Sequence, residues 1–339
     1  MNFTSQIDNW YSKNKRDLPW RKNKDPYSVW LSEIILQQTQ IQQGLPYYTK
    51  FMQKYPDVFS LATANEQEIL KLWQGLGYYS RARNLHKTAK IIVSNYNGVF
   101  PKTYLQLLKL PGIGKYTASA ISSICYEEKQ AVLDGNVFRL LSRYFGMDIP
   151  INSSQGIKAF EKLSHDLLPK INIGDYNQAL MDFGSTVCKP KMAKCEICVL
   201  QDGCNAHVNK TTNLLPVKIK KHKVLIKHFN FIIFIDPYNN TQIEQRNDKG
   251  IWQKLYQFPL IITDKELNVN ELINQLEIST PLSNSKYDVE LINAKPEIHN
   301  LTHRKLFIKY WKIQIDDLST NITPIKNLVN YPFPIVLSR

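Results

Sequence analysis

The chain has 339 residues, enough to bury more than one hydrophobic core and to form about two domains. Its formal net charge of +14 favours a polyanionic partner, and the excess is spread out, with 26 basic against 17 acidic residues over 1–210 and 17 against 12 beyond. The first residues, Met1 to Asp8, lack the basic and apolar regions of a secretion signal, and no stretch is apolar over a membrane span. A cytoplasmic protein with no membrane contact is therefore expected, its five cysteines free thiols or metal ligands rather than disulfides.

Trp20 and Arg21 lead into Asp25-Pro26-Tyr27-Ser28-Val29-Trp30-Leu31-Ser32-Glu33-Ile34-Ile35-Leu36-Gln37-Gln38-Thr39-Gln40. Asp25 can cap a helix whose first position is Pro26, where proline's missing amide costs nothing. Glu33 then sits mid-helix, with Val29 and Trp30 behind it and Leu36 and Gln37 ahead, on a largely apolar face. A carboxyl group there is turned to water, paired with a base, or desolvated with a raised pKa; in the third case it can act as a general acid.

From Gly44 to Phe100 the pattern is helical, with turns at Tyr55-Pro56, Gly75-Leu76-Gly77 and Asn97-Gly98. The stretch Gly77-Tyr78-Tyr79-Ser80-Arg81-Ala82-Arg83 puts two aromatic and two basic residues at a helix start.

Next comes Leu107-Leu108-Lys109-Leu110-Pro111-Gly112-Ile113-Gly114-Lys115-Tyr116-Thr117, where helical spacing stops before Pro111 and resumes after Gly114. Pro111 to Gly114 must reverse the chain between two helices spanning 105–125. Gly112 and Gly114 leave amides uncovered at the positive end of the second helix, which suits a phosphate, and Lys115 adds a charge at the same spot. A bare helical corner with no ligand is the alternative. Asp134 follows in Leu133-Asp134-Gly135-Asn136-Val137.

Residues 137 to 187 continue as helices and lead into Cys188, Cys195, Cys198 and Cys204, spaced Cys-x6-Cys-x2-Cys-x5-Cys in a loop over 188–204. Four cysteines gathered in a chain with one other, Cys125, point to a four-thiolate metal site, either a zinc or an iron–sulfur cluster. Lys189, Lys191 and Lys194 lie inside this loop, where a pinned backbone can present them to phosphates.

A polar, irregular stretch and the basic run Lys218-Ile219-Lys220-Lys221-His222-Lys223 mark a linker over 206–223. Strand-like runs follow at Phe229–Ile235, Thr241–Arg246 and Leu306–Ile315, with a turn at Asn239-Asn240 and a helix over Asn268–Glu277, so 224–339 reads as an α+β module.

Taken together, Trp30-Leu31-Ser32-Glu33-Ile34-Ile35-Leu36-Gln37-Gln38-Thr39-Gln40, the Leu-Pro-Gly-Ile-Gly-Lys hairpin, Asp134 and the cysteine spacing resemble the A/G-specific adenine DNA glycosylases (MutY type) of the helix-hairpin-helix, endonuclease III superfamily. The resemblance is strong over residues 10–204. Over 224 to about 335 it is looser: Arg246, Gly250-Ile251-Trp252 and Leu255-Tyr256-Gln257-Phe258-Pro259 are similar to the Nudix-related C-terminal domain of those enzymes. The Nudix hydrolase box is missing, which implies a binding domain. His299-Asn300-Leu301-Thr302-His303 stands where the family has a Phe-Ser-His loop touching 8-oxoguanine, with Leu301 for the phenylalanine and Thr302 for the serine; an ordinary turn before a strand is the alternative.

The resemblance implies a multidomain protein: an all-α helix-hairpin-helix glycosylase domain with an iron–sulfur loop (1–205), followed after the linker by an α+β Nudix-like domain (224–339) that recognises 8-oxoguanine. It implies a monofunctional, monomeric, nucleoid-associated base excision repair enzyme acting on double-stranded DNA, one that removes adenine mispaired with 8-oxoguanine or guanine and so prevents G:C to T:A mutation. Glu33 would donate a proton to N7 of the flipped adenine and Asp134 would stabilise the oxocarbenium sugar or bond to it, with Tyr116 and Asn136 orienting these groups. Gln38 and Tyr78 would wedge into the base stack, while Arg81, Gly112, Gly114, Lys115, Thr302 and His303 touch DNA. Cys188, Cys195, Cys198 and Cys204 would hold one [4Fe-4S] cluster. The alternative enzyme is an endonuclease III type glycosylase and lyase for oxidised pyrimidines, whose amine nucleophile the family places where this chain has Tyr116; Lys115 is one residue away, about 100° around the helix. A non-catalytic DNA-binding protein with a cluster is the other class, and it has no need of Glu33 and Asp134 aimed at a polyanion.

Overall fold

In the computed structural model, which describes residues 2–219, 224–279, 288–316, 318 and 321–338, the chain is helical as far as Val208 and rich in strands from Leu225 onward. It divides into two units, one of residues 1–63 and 84–220, the other of 64–83 and 221–339. The second unit thus includes a helical stretch, 64–83, that the sequence reading assigns to the helical domain. Residues 220–223, most of the expected basic run, lie outside the described residues. Among the described residues no helix is long and apolar enough to cross a membrane.

The helices in chain order are α1 (Phe3–Asn14), α2 (Pro26–Leu36), α3 (Ile41–Lys54), α4 (Val58–Thr63), α5 (Glu66–Leu72), α6 (Ser80–Tyr96), α7 (Tyr104–Leu107), α8 (Lys115–Tyr126), α9 (Gly135–Phe145), α10 (Ser154–Asp166), α11 (Ile173–Thr186) and α12 (Asn205–Val208). Helix α2 begins as its sequence dictates: the Asp25 side chain accepts from the Ser28 amide at 2.9 Å and Pro26 occupies the first turn. Every residue from Tyr27 to Ile35 is buried, and α2 packs on α3 and α8. A helix apolar on all sides belongs at a domain's centre, and this one carries Glu33 there.

A core of Val137, Leu140, Leu141, Phe160, Tyr176, Leu180 and Phe183 joins α9, α10 and α11, with Phe3 and Ile7 of α1 against it. Truncating Phe183, which has no exposure, to alanine would cost about 3–5 kcal/mol. Gly184 lets α11 meet the start of α9: a Cβ there would lie 2.8 Å from the Asn136 Cβ and from its carbonyl oxygen. That close approach fixes the first turn of α9 against α11.

The hairpin is shorter than the sequence suggests on its first arm. Helix α7 is one turn, and residues to Leu110 continue as tight turns, with the Leu110 amide donating to the Leu107 carbonyl at 3.0 Å. The cause is Pro111, which disfavours helical backbone at the residue before it. Gly112 has φ +76°, and the Thr88 hydroxyl pins the Pro111 carbonyl at 2.7 Å.

In the second unit, β1 (Leu225–Ile235), β2 (Asn240–Gln242), β3 (Glu244–Gln245), β4 (Tyr256–Gln257), β5 (Leu260–Thr263), α13 (Val269–Ser279), β6 (Asp288–Leu291), β7 (Glu297–Asn300), β8 (Arg304–Gln314) and β9 (Ile322–Pro324) follow in order. The main sheet runs β5-β1-β8-β6, with β7 also on β8; β1 and β8 are parallel, in register Phe231 to Tyr310, and the other pairings are antiparallel. Leu272 and Leu276 of α13 cover Ile232, Phe234, Trp311 and Ile313 on one face. The expected strand Thr241–Arg246 is broken at Ile243, its two parts pairing with different partners, β9 and β4.

Candidate active site

A cleft of about 1300 Å³ in the first unit is lined by Glu33, Gln38, Gly112, Gly114, Lys115, Tyr116, Asp134 and Asn136, so α2, the hairpin with α8, and the start of α9 all contribute to it. Glu33 is 8 % exposed. Of the three fates open to a carboxyl group on this helix, the fold has chosen desolvation, relieved by a single phenol: the Tyr116 hydroxyl donates to Glu33 Oε2 at 2.6 Å. Burial pushes Glu33 up from the usual 4.5 to about 7, with the Asp134 charge adding to the rise and the Tyr116 hydrogen bond and Arg21 opposing it. Burial and the neighbouring Glu33 hold the Tyr116 phenol well above its ordinary range, so it stays a donor.

Asp134 is the cap of α9. Its Oδ1 accepts from the Asn136 and Val137 amides, each at 2.8 Å, and its Oδ2 from Asn136 Nδ2 at 2.6 Å. Burial raises its carboxyl, and these hydrogen bonds together with the Arg139 charge oppose the rise. Asn136 is held in turn, because Arg139 Nη2 donates to Asn136 Oδ1 at 2.9 Å and to the Gly184 carbonyl at 2.6 Å, while its Nε donates to the Cys188 carbonyl at 2.8 Å. Two carboxyl groups thus share one cleft in unlike surroundings, one nearly stripped of donors and the other ringed by them. That difference is what separates an acid from a base.

A family model described as HhH-GPD superfamily base excision DNA repair protein matches residues 31–165, and one described as NUDIX domain matches 230–339. The chain is 36 % identical to an adenine DNA glycosylase of Buchnera aphidicola subsp. Baizongia pistaciae, over 94 % of this chain and 87 % of that one. The chain belongs to the adenine DNA glycosylases. It is also 42 % identical to the adenine DNA glycosylase of Rattus norvegicus, over 60 % of this chain and 42 % of that one. Among solved structures it is similar to a thermostable thymine-DNA glycosylase, with a TM-score of 0.57 and 33 % identity, over 61 % of this chain and 95 % of that one. The architecture is that of a helix-hairpin-helix glycosylase domain followed by a Nudix-like α+β domain, and the enzyme class is a base excision repair hydrolase of N-glycosyl bonds.

In this adenine DNA glycosylase Gly114 caps α8 without a side chain of its own, and a Cβ there would meet nothing within 4 Å. The first amides of α8 are therefore open to a ligand. Lys115 is exposed beside them and pairs with Glu161 at 2.8 Å. Gln38, exposed at φ +57°, stands at the rim of the cleft. Cys188, Cys195, Cys198 and Cys204 line a single small cavity. Burial pushes the Cys198 thiol up to about 11, with the other three sulfurs adding to the rise and a hydrogen bond from the Leu200 backbone opposing it. Arg143 Nη1 lies 3.4 Å from Cys188 Sγ and holds the loop through the Lys189 carbonyl at 2.7 Å. Among the described residues no group of three or more His, Cys, Asp or Glu is placed to hold a single metal ion.

Tyr78, Arg81, Thr302 and His303 belong to the second unit and are not among the residues lining the cleft. The Tyr78 hydroxyl and Thr302 Oγ1 are 2.7 Å apart, Tyr78 is half-exposed at φ +48°, and Thr302 and His303 are exposed in the turn between β7 and β8. Arg81 is turned inward: its guanidinium donates to the Leu76 and Gly77 carbonyls and lies over the Trp73 and Tyr78 rings. Sequence reasoning did not single out Arg16, Arg139, Arg143 or Asp182 and passed over Arg21 as a flank. Asp182 carried the same signal as Glu33, a carboxylate in an apolar helical run between Met181 and Phe183, and a partner was there to be sought.

Proposed function

We propose that this glycosylase excises adenine paired with 8-oxoguanine or guanine in duplex DNA. The observation that carries the reading is the buried Glu33 carboxyl with its single phenol donor, in one cleft with the hydrogen-bonded Asp134. With its pKa raised to about 7, Glu33 holds a proton in a substantial fraction of molecules at neutral pH and can hand it to N7 of an extruded adenine, making the base a neutral leaving group. Asp134, ringed by donors that favour its charged form, faces the cation that develops on the sugar and stabilises it or bonds to it. Glu33, now a carboxylate, then takes a proton from the attacking water. Tyr116 orients Glu33 and Asn136 orients Asp134.

The four cysteines are read as ligands of one [4Fe-4S] cluster rather than of zinc because their Cys-x6-Cys-x2-Cys-x5-Cys spacing is the one that the resemblance to adenine glycosylases and endonuclease III associates with that cluster. The cluster would tie residues 188–204 to α9 and supply no hydrolytic step. The open amides of α8, Lys115 and the lysines at 189, 191 and 194 are suited to DNA phosphates. Gln38 and Tyr78, both held at positive φ and exposed, suit wedges into a base stack. Residues 1–205 would extrude and excise adenine, while 224–339, through Thr302 and His303, would read the opposite base. The testing experiment is base release from duplexes carrying adenine opposite 8-oxoguanine, adenine opposite guanine, or thymine glycol; release from thymine glycol duplex alone would reverse the reading.

A further inference from the structure

The Asp182 side chain is wholly removed from solvent on α11. An unpaired carboxylate there would cost several kcal/mol, and it is not unpaired. Arg21 grips it with two bonds, Nη1 to Oδ2 at 2.7 Å and Nη2 to Oδ1 at 2.9 Å, and Arg16 adds Nε to Oδ1 at 3.0 Å and a closer contact through Nη2. The group carries two cations and one anion. Both arginines line the cleft that holds Glu33, with Arg21 8 % and Arg16 30 % exposed. The Tyr11 hydroxyl of α1 is buried in the field of Arg21, Asp182 and Arg16 without a hydrogen bond.

A buried ion pair is a poor means of stabilising a fold, since well-packed apolar groups of the same volume usually do as well or better. This one also borders the reacting groups. We infer that Asp182 is a positioning residue which, by holding Arg21 and Arg16 in the cleft wall and offsetting part of their charge, sets how firmly Glu33 holds its proton. The charged and titratable groups that face Glu33 are Tyr116 and Cys125 from α8, Asp134 at the start of α9 and Arg21 from residues 19–21; those that face Asp182 are Arg21, Arg16 and Tyr11. Arg21 favours the Glu33 carboxylate. Asp182, itself held below the usual carboxylate range because the two arginines outweigh its burial, weakens that pull. Take the anion away and the cleft becomes more positive, so Glu33 loses its proton at lower pH. Take Arg16 away instead and the change has the opposite sign.

The inference rests on the reading of Glu33 as general acid. The experiment is the pH profile of single-turnover adenine excision at saturating enzyme, with the full-length protein and its four cysteines intact, for wild type, Asp182→Asn, Asp182→Glu and Arg16→Gln. The alkaline limb, where Glu33 loses its proton, should move down by about 0.5–1 pH unit in Asp182→Asn, the low end of what one nearby charge does to a carboxyl group. It should move up in Arg16→Gln and stay in place in Asp182→Glu, whatever happens to the plateau rate. A lower plateau with an unmoved limb in Asp182→Asn would make Asp182 a packing residue and overturn the inference. Should Asp182→Asn fail to fold, Arg16→Gln, whose side chain is partly in solvent, decides alone: an unmoved limb there is equally fatal. A wild type without an alkaline limb, or Glu33→Gln excising at the wild-type rate, would instead overturn the general-acid reading.

Discussion

The Tyr116 hydroxyl donates to Glu33 Oε2 at 2.6 Å, across 83 residues of chain and between two helices packed on one another. In a lyase of this superfamily the position of Tyr116 would carry the attacking amine. Here it carries a phenol that holds its proton well above ordinary pH and so remains a donor to Glu33, which fits the orienting role proposed for it.

The effect of that donor on Glu33 is testable. Since the hydrogen bond lowers the Glu33 pKa from where burial alone would put it, Tyr116→Phe should raise it. Single-turnover excision in the wild type should fall about tenfold per pH unit once the pH exceeds about 7, and in Tyr116→Phe that fall should begin at higher pH. Asp134→Asn, which removes a charge that raises Glu33, should bring the fall to lower pH in whatever activity survives. Identical limbs in wild type and Tyr116→Phe would show that the phenol does not govern the acid.

Stability should show the same carboxyl in reverse. A folded pKa raised from 4.5 to about 7 means that folding is favoured by the Glu33 proton: the contribution is fully present below pH 4.5 and is lost as pH rises through 7. Glu33→Gln removes this penalty, so at pH 8 it should be more stable than wild type by up to about 3 kcal/mol and at pH 4 nearly equal to it. Urea unfolding at the two pH values measures the difference. Activity should move the other way, with excision by Glu33→Gln down roughly a hundredfold or more and duplex affinity kept.

What the sequence disclosed about this site follows physical lines. Asp25-Pro26 is a local signal, and the start of α2 lies where that signal puts it. Helical periodicity places Glu33 on an apolar face but leaves it turned to water, paired or desolvated, and it is the family resemblance that points to an acid. The Arg21–Asp182 and Arg139–Cys188 pairings link residues 161 and 49 apart, and no local rule brings them together. In the second unit β4 is two residues long and β5, β6 and β7 are four each, too short for a period-2 pattern to be read, and they exist because β1 and β8 offer them edges. The stretch 64–83 joins that unit through contacts such as Arg83 Nη1 to the Gln253 carbonyl at 2.7 Å, which composition cannot reveal.

Metal content separates the two readings of the cysteine loop. Protein purified without oxygen should hold about four iron and four sulfide per chain, and Cys198→Ser should lower both along with thermal stability. Stoichiometric zinc with no iron would establish the other reading.

Borohydride trapping addresses the missing lyase amine. Lys115, the lysine adjacent to Tyr116, points to Glu161 rather than to Glu33. Base release should therefore leave abasic DNA without a covalent adduct formed at a matching rate. Trapping as fast as base release, and abolished in Lys115→Ala, would place this chain with the lyases.

The last prediction concerns the hydroxyl pair in the second unit. Thr302 Oγ1 lies 2.7 Å from the Tyr78 hydroxyl, and both residues are exposed. A threonine oxygen has two lone pairs, so it can accept from Tyr78 and from one further donor at once. 8-Oxoguanine offers that donor at N7, whereas guanine has an acceptor there. One such discriminating contact is worth about 1–3 kcal/mol. Thr302→Ala should therefore slow or weaken action on adenine opposite 8-oxoguanine by about five- to a hundredfold and leave adenine opposite guanine nearly unchanged. Tyr78→Phe, which keeps the ring but frees Thr302 to turn, should show the same preference loss in milder form. The measurement is binding and single-turnover excision on the two duplexes; an equal loss on both in Thr302→Ala would mean that Thr302 supports the turn between β7 and β8 and reads nothing.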